Sequence, residues 1–294
     1  MADLSVLMGS DISARIYSYH EKKAEDFRRD HLGASLIGRE CERSIWYSFR
    51  WCVKPSFDGR MLRLFDTGKL AEERIFSELE GIGIKVFHKQ KELRVFHCFG
   101  GSVDAFGRGF SESIGDHIIE VKTHSQKSFD DLVRNGVKES KPDHYAQMTV
   151  YMGAGVVSRA YYMAINKNTD EIYSERIKFD KDFYNFLVEK ARRIIDSPTP
   201  CMKTESFKCK FCDYSEVCGG GSQKIEVSCR TCCHFTPFLC EKSGKGLTFE
   251  EQKKGCKNHL FIPMLIWTVH DAGDDWIEYE DGKINKNNSL EFFK

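Results

Sequence analysis

The sequence predicts a layered α/β or α+β core, a mixed central sheet flanked by helices, followed by a small cysteine-rich module. Three observations predict it. Helix-period and strand-period stretches alternate through roughly the first 200 residues. A glycine-rich stretch, CGGGSQK at 218–224, reads as a linker. Cysteines crowd the last third of the chain, several of them in Cys-x-x-Cys spacing. The expected organisation is a core over 1–218, a linker over 219–226, a cysteine-rich module over 227–263 and a tail over 264–294.

The elements follow in chain order. Residues 11–30 are polar with scattered apolar positions and read as helical. HLGASLIGRECERSIWYSFRW places Cys41 just ahead of an aromatic-rich helix. Residues 61–80 carry Leu64, Leu70, Ile75 and Leu79 at helical spacing. GIGIKVFHKQKELRVFHCFGGSVDAFG reads as successive short strands, with Asp104 just after a glycine turn. DHIIEVKTH is another strand. Residues 126–135 and 141–153 read as helices, the second opened by Pro142, which suits a first turn. SRAYYMAIN and EIYSERIKF are strands, and DKDFYNFLVEKARRIID is a helix stopped by SPTP.

Composition bounds the function class. The 294 residues are 41% hydrophobic and 30% charged, as expected of a soluble globular chain. Net charge is zero, which argues against a histone-like or polybasic binder but not against an enzyme with a local basic groove. No apolar run approaches the roughly 20 residues of a membrane span. The start lacks a basic segment leading into a long apolar one, so no secretory signal and no membrane partner are expected. Twelve cysteines without an export signal point to metal or iron–sulfur ligation more than to disulfides.

The chemistry lies in GGSVDAFGRGFSESIGDHIIEVKTH, residues 100–124. Hydrolysis of a phosphodiester needs positive charge beside the phosphate and an activated water, and divalent metals supply both. Magnesium takes oxygen ligands and keeps several waters, so two or three carboxylates on fixed backbone suffice. Glu120 and Lys122 sit two apart on one strand and leave the same face, while Val121 points into the core. Asp104 supplies a second carboxylate. Glu72 follows Gly68 at i+4 on a helix whose apolar face is elsewhere; the rival reading is a solvated helix acid. Gln147 and Tyr151 share a helix face. His144 lies on it too, and is expected to be a surface or capping histidine.

Gly101-Ser-Val-Asp104, Glu120-Val-Lys122 and Gln147-x3-Tyr151 together resemble the PD-(D/E)XK nuclease superfamily in its RecB-like branch. Many members carry Gly-x3-His where this chain reads Gly68-x3-Glu72, a departure at the first motif. The resemblance implies a restriction-endonuclease-like core with Asp104 and Glu120 as ligands of Mg²⁺ or Mn²⁺. It implies Lys122 orienting or activating water, with Gln147 and Tyr151 bracing the site or touching DNA.

FKCKFCDYSEVC contains Cys209, Cys212 and Cys218 in a C-x2-C-x5-C array. Three thiolates leave a four-coordinate site open, and Cys41 is the candidate fourth ligand. This layout resembles the iron–sulfur RecB-like exonucleases, including CRISPR-associated members and the AddB nuclease domain. It implies a [4Fe–4S] cluster pinning the two ends of the core. Tetrahedral Zn²⁺ accepts the same four sulfurs and is the alternative. Cys52 and Cys98 are expected to be buried small hydrophobes.

A second set follows in SCRTCCHFTPFLCEKSGKGLTFEEQKKGCKNHLFIP. Cys229-x2-Cys232 forms one knuckle; Cys240 and Cys256 complete a four-sulfur site, with His259 as a substitute ligand. Roughly 35 residues cannot bury enough core to fold alone, so a structural Zn²⁺ is expected. Cys233 and His234 are expected to stand outside the site. This set, with HLGASLIGRE and KPDHYAQMTVYM, resembles RecB-like nucleases of bacteriophages. That implies a bacterial cytoplasm and phage recombination or replication as the setting.

Arg39, Arg43, Arg50, Arg60 and Arg63 interleave with Trp46, Tyr47, Phe49 and Trp51, a pattern that suits gripping single strands. The rival reading has Trp46, Phe49 and Leu64 in the core and the arginines on a solvated face. Lys127 and Ser128 are weaker phosphate contacts. The expected function is a metal-dependent DNA exonuclease on single-stranded ends, acting 5′ to 3′ by the family resemblance. A recombinase or single-strand-binding protein is the expected partner. The rivals are a structure-selective or nicking endonuclease, a non-catalytic DNA-end-binding module, and a redox-sensing regulator.

Overall fold

The computed structural model describes residues 11–111, 115–219, 225–266 and 268–286. The greater part of the expected linker, 220–224, lies outside them. The strands run β1 (Leu32–Gly33), β2 (Lys85–Phe87), β3 (Glu92–Phe96), β4 (Phe99–Ser102), β5 (Ala105–Arg108), β6 (His117–His124), β7 (Arg159–Asn166) and β8 (Ile172–Lys178). They continue with β9 (Phe235–Thr236), β10 (Leu239–Cys240), β11 (Lys245–Gly246), β12 (Val269–Gly273), β13 (Trp276–Tyr279) and β14 (Ile284–Lys286).

The chain divides into two compact units, interleaved along the sequence. One comprises Met1–Arg28, Pro55–Leu93 and Ser102–Lys181; the other comprises Arg29–Lys54, Arg94–Gly101 and Asp182–Lys294. The division therefore runs differently from the expected break near 219, because residues 29–54 group with the C-terminal third.

The first unit is the mixed sheet with helices that the alternating periods predict. Its five strands lie in the order β2–β5–β6–β7–β8. Only β6 and β7 are parallel; the other three pairs are antiparallel. A parallel neighbour needs a crossover, and the helices Gln126–Ser140 and Pro142–Gly155 provide it. Ile119 and Val121 of β6 leave one face, beside Met163 and Ile165 of β7. Ile75, Phe76 and Leu79 of the helix Gly59–Gly81 pack against them. Glu120, Lys122 and His124 alternate to the other face.

The helix Gly59–Gly81 starts where Asp58 caps it, accepting a hydrogen bond from the Met61 N–H at 2.7 Å. Its buried stripe is Leu62, Ile75, Phe76 and Leu79. Leu64 and Leu70, expected in that stripe, are 38% and 72% exposed. Leu62 carries the period into the core instead, and Leu64 and Leu70 fall beside it on the solvent side. The expected helix over 126–135 runs on to Ser140, interrupted at Gly136, whose φ of 72° a side chain would resist.

In the second unit, the helix Glu42–Phe49 buries Ile45, Trp46, Tyr47 and Phe49. Lys190 of the helix Lys181–Asp196 donates to the Ile37 and Arg39 carbonyls at 2.8 and 2.7 Å. β1 and β4 pair in parallel. β9–β10–β11 and β12–β13–β14 form two small antiparallel sheets. The second of these lies in the stretch expected to be a tail. Ile277 and Tyr279 are its buried face, and Gly282 at φ 79° turns the chain between β13 and β14.

Candidate metal-dependent active site

Register places the two acids together. Ala105 of β5 faces Ile119 of the antiparallel β6, so the next residues along, Asp104 and Glu120, flank one another. Asp104 does not follow a glycine turn as expected: Gly100 and Gly101 lie within β4. Asp104 is held at the mouth of β5 by its neighbours instead. Its carbonyl accepts the Gln90 N–H at 3.0 Å, and its Oδ2 accepts the Val121 N–H at 2.8 Å.

Lys122 joins both acids. Its Nζ lies 3.6 Å from Asp104 Oδ2 and donates to Glu120 Oε1. Glu120 is fully buried and Asp104 is 8% exposed. The second oxygen, Glu120 Oε2, is buried without a hydrogen-bond partner among the described residues. Burial is the main force holding the Glu120 carboxyl above its ordinary range, with the adjacent Asp104 adding to it. A buried acid pair with one unpaired oxygen is a donor set that fits a hard divalent cation.

Glu72 is half-buried rather than fully solvated. Burial pushes its carboxyl up to about 7, with Asp104 as the next cause. Its Oε2 accepts from the Gln90 side-chain amide at 3.1 Å. Gln90 thus ties Glu72 to the backbone of Asp104. Sequence reasoning missed it, because nothing in KQKEL marks one glutamine from its neighbours.

The helix Pro142–Gly155 closes the other side. Gln147 and Tyr151 are both buried, their side chains 3.4 Å apart. Burial, and then Glu120, push the Tyr151 hydroxyl above its ordinary range. His144 is neither a surface nor a capping residue. Its Nδ1 lies 2.7 Å from the Tyr162 hydroxyl, and His124 Nε2 lies 2.8 Å from the same oxygen. Tyr162 faces Glu120 across the β6–β7 ladder. Burial holds both imidazoles well below their ordinary value, to about 3 for His144 and about 4 for His124. Two neutral rings then share one hydroxyl, which donates to one and accepts from the other. Only the TH tail of EVKTH and the Tyr pair in AYYMA hint at this chain of groups.

The weaker DNA contacts fare differently. Lys127 is exposed, whereas Ser128 is half-buried with its hydroxyl 3.1 Å from His124 Nδ1. Arg39 and Arg43 are half-buried, and Arg43 donates to the Cys201 carbonyl at 2.6 Å. The aromatic grip is overturned: Trp46, Phe49 and Trp51 are at most 3% exposed, too deep for bases to stack on. Arg50 is buried with them rather than solvated, while Arg60 and Arg63 are exposed.

The first cysteine set lies in the second unit. Cys209 and Cys212 bracket a tight 3₁₀ turn closed by the Cys212 N–H on the Cys209 carbonyl at 3.3 Å. Lys208 Nζ lies 3.3 Å from the Glu40 carboxylate, so the chain just before Cys41 is folded back beside this knuckle. Cys218 ends a short helix beside Tyr47. Cys52 and Cys98 are buried, as their lack of spacing suggests.

In the second set, Cys229, Cys232, Cys240, Cys256 and His259 line one cavity of about 420 Å³. His259 turns its Nε2 to the Ser228 carbonyl at 3.0 Å. Cys233 and His234 do not stand apart as expected. With Cys232 they place their donor atoms within 4.8 Å of one another, the one such group of three among the described residues. The chain bends at Cys232, pairing it with Phe261 and the Cys233 N–H with the Leu260 carbonyl, and this bend draws the consecutive residues together.

No protein-family model matches the chain, and no curated protein matches it in sequence. Several solved structures resemble it in part. SSO0001 is 15% identical, with a TM-score of 0.46 over 74% of this chain and 100% of that one. An alkaline exonuclease from Laribacter hongkongensis is 14% identical, with a TM-score of 0.44 over 60% of this chain and 90% of that one. A phage-related exonuclease from Haemophilus somnus is 16% identical, with a TM-score of 0.34 over 44% and 68%. No described helix is long and apolar enough to cross a membrane.

Proposed function

We propose that the chain is a divalent-metal-dependent deoxyribonuclease, an exonuclease acting on DNA ends. One observation carries the reading: Asp104, Glu120 and Lys122 converge at the β5–β6 pair, and Glu120 Oε2 is buried there without a hydrogen-bond partner among the described residues. The ordered motifs in which these residues occur, shared with PD-(D/E)XK nucleases, support DNA as substrate.

Asp104, Glu120 and Glu72 are the residues that would hold Mg²⁺ or Mn²⁺. A bound cation would polarise the scissile phosphate and lower the pKa of water. Lys122, held between two acids, stays protonated and presents N–H donors toward the phosphate and the attacking water. Burial of Glu120 keeps bulk water off the acid pair and strengthens each electrostatic contact there. The Tyr162 hydroxyl, clamped by His124 and His144, braces the strand that carries Glu120. Gln147 and Tyr151 wall the opposite side, and Lys127 stands exposed just beyond β6 as a phosphate contact.

Cys41, Cys209, Cys212 and Cys218 would hold a [4Fe–4S] cluster, with zinc as the alternative occupant. Action from the 5′ end on single-stranded ends, in phage recombination beside a recombinase or single-strand-binding protein, completes the reading. End-labelled linear and circular single-stranded DNA test it together. An exonuclease degrades the linear form with Mg²⁺ or Mn²⁺ and leaves the circle intact; cleavage of the circle shows an endonuclease.

A further inference from the structure

We propose that Cys229, Cys232, Cys240 and Cys256 form a four-thiolate zinc centre whose negative charge is balanced by the two buried arginines Arg50 and Arg230. The site is independent of the nuclease chemistry. Its parts all lie in the second unit.

The donors come from separate pieces of chain, as a tetrahedral site needs. Cys229 and Cys232 bracket a 3₁₀ turn closed by the Cys232 N–H on the Cys229 carbonyl at 3.0 Å. Cys240 ends β10, where the Gly244 N–H returns to its carbonyl at 2.8 Å. Cys256 opens a third turn, closed by the His259 N–H on its carbonyl at 2.9 Å. The four thiols line one cavity of about 420 Å³, and the Cys229 thiol lies against the Glu251 and Lys254 carbonyls at its wall, at 3.6 and 3.4 Å. The Leu260 N–H points at Cys232 Sγ from 3.5 Å, the outer hydrogen bond that steadies a metal thiolate.

The second observation is a charge deficit. Arg50 is 3% exposed and Arg230 is 0% exposed. Arg230 donates from Nε to the Gln252 side-chain carbonyl at 2.9 Å, and from its terminal nitrogens to the Phe49 and Asp30 carbonyls. Arg50 donates to the carbonyls of Phe235 and Ser197, both at 3.1 Å, and to that of Arg230 at 3.5 Å. Every one of these acceptors is an uncharged carbonyl. Two buried cations with only neutral acceptors are costly to retain. Zinc with four thiolates carries two net negative charges. Arg230 lies between Cys229 and Cys232 in the chain, and Cys232 acts electrostatically on Arg50 after burial, Cys52 and Cys201.

The same geometry explains how so little core holds together. The strands of this stretch are two residues each. A metal supplies the folding energy that such a module lacks. Closing the knuckle also seats Arg230 over Trp51, 4.1 Å from the ring centre, and against the Phe49 carbonyl. Loading thereby fastens residues 229–256 to the helix Glu42–Phe49.

Elemental analysis of the full chain tests the proposal. Cys240→Ser and Cys256→Ser are each expected to lose one zinc equivalent relative to wild type. Cys233→Ala and His234→Ala keep that equivalent. Arg50→Met binds zinc roughly 10–100-fold more weakly in chelator competition. Should the serine variants prove insoluble, cobalt(II) exchanged into wild type decides, because four thiolates give an intense sulfur-to-metal charge-transfer band. Zinc unchanged in both serine variants overturns the site. So does zinc lost from His234→Ala or Cys233→Ala, or cobalt spectra with nitrogen or fewer than four sulfurs.

Discussion

Asp104 Oδ2 accepts a hydrogen bond from the backbone N–H of Val121 at 2.8 Å, across the β5–β6 pair. That bond sits between Glu120 and Lys122, so it fixes one carboxylate against the strand that carries the other. The Val121 side chain meanwhile packs into the core on the far face. Position along one strand thus decides both packing and chemistry.

Replacing Lys122 by Ala removes the one cation in contact with both acids among the described residues. Cleavage is expected to fall roughly 10²–10⁴-fold, the range for loss of a positioned proton-transfer or orienting group. The fall should appear in kcat with little change in DNA affinity, measured by single-turnover assays and by binding in Ca²⁺. An equal loss in KM alone would make Lys122 a simple phosphate contact.

Glu72 contributes to the site's pH dependence, alongside the raised Glu120 carboxyl. With its carboxyl raised to about 7, it is neutral and a poor ligand in acid, and ionised above neutrality. Mg²⁺ is expected to bind more tightly as pH rises from 6 to 8, and Glu72→Gln should flatten that slope. The sign for stability is opposite. A carboxyl raised on folding stabilises the metal-free protein below its unfolded pKa of about 4.3, and that contribution is lost as pH climbs toward 7. Titrations of Mg²⁺-induced melting shifts at three pH values check both.

How much of this could be read from the sequence follows from how far each signal reaches. Glu120-Val-Lys122 was legible because strand alternation is a local rule. The pairing of Asp104 with Glu120 was legible only through the motif resemblance, because register depends on residues 105 and 119 meeting. Gln90, Tyr162 and His124 were not legible: each acts through a contact made by folding, and each has an ordinary local context. His144 was misjudged for the same reason. The hairpin of β13 and β14 should have been seen, since Asp281-Gly282 between WIEY and INK is a turn signal. The aromatic helix Glu42–Phe49 misled because arginine beside tryptophan reads alike in a groove and in a core. Arg50 is buried only because carbonyls of residues 197 and 235 come to meet it.

Tyr162→Phe removes the hydroxyl that His124 and His144 share. Two buried ring nitrogens then lose their partner, at a cost of roughly 1–3 kcal/mol for each group left unsatisfied. Denaturant melts should show this loss, and cleavage should drop only severalfold. His144→Gln is expected to restore part of the stability in the Tyr162→Phe background, because it leaves one imidazole fewer to satisfy.

Phe76, 1% exposed, backs β6 through Ile119 and Val121. Phe76→Ala is expected to cost about 3–5 kcal/mol of stability. If the acids are held by this packing, the variant loses activity at temperatures well below its own melting point. Activity that tracks the folded fraction alone would show that the strand keeps its position without that ring.

The most direct measurement is the release of nucleotides from end-labelled linear single-stranded DNA by wild type, Asp104→Ala and Glu120→Gln, each with and without Mn²⁺. The account predicts release by wild type only when the cation is present, and none above background from either variant, although both still fold. Digestion that persists in Asp104→Ala and Glu120→Gln, or that ignores the cation, would contradict it.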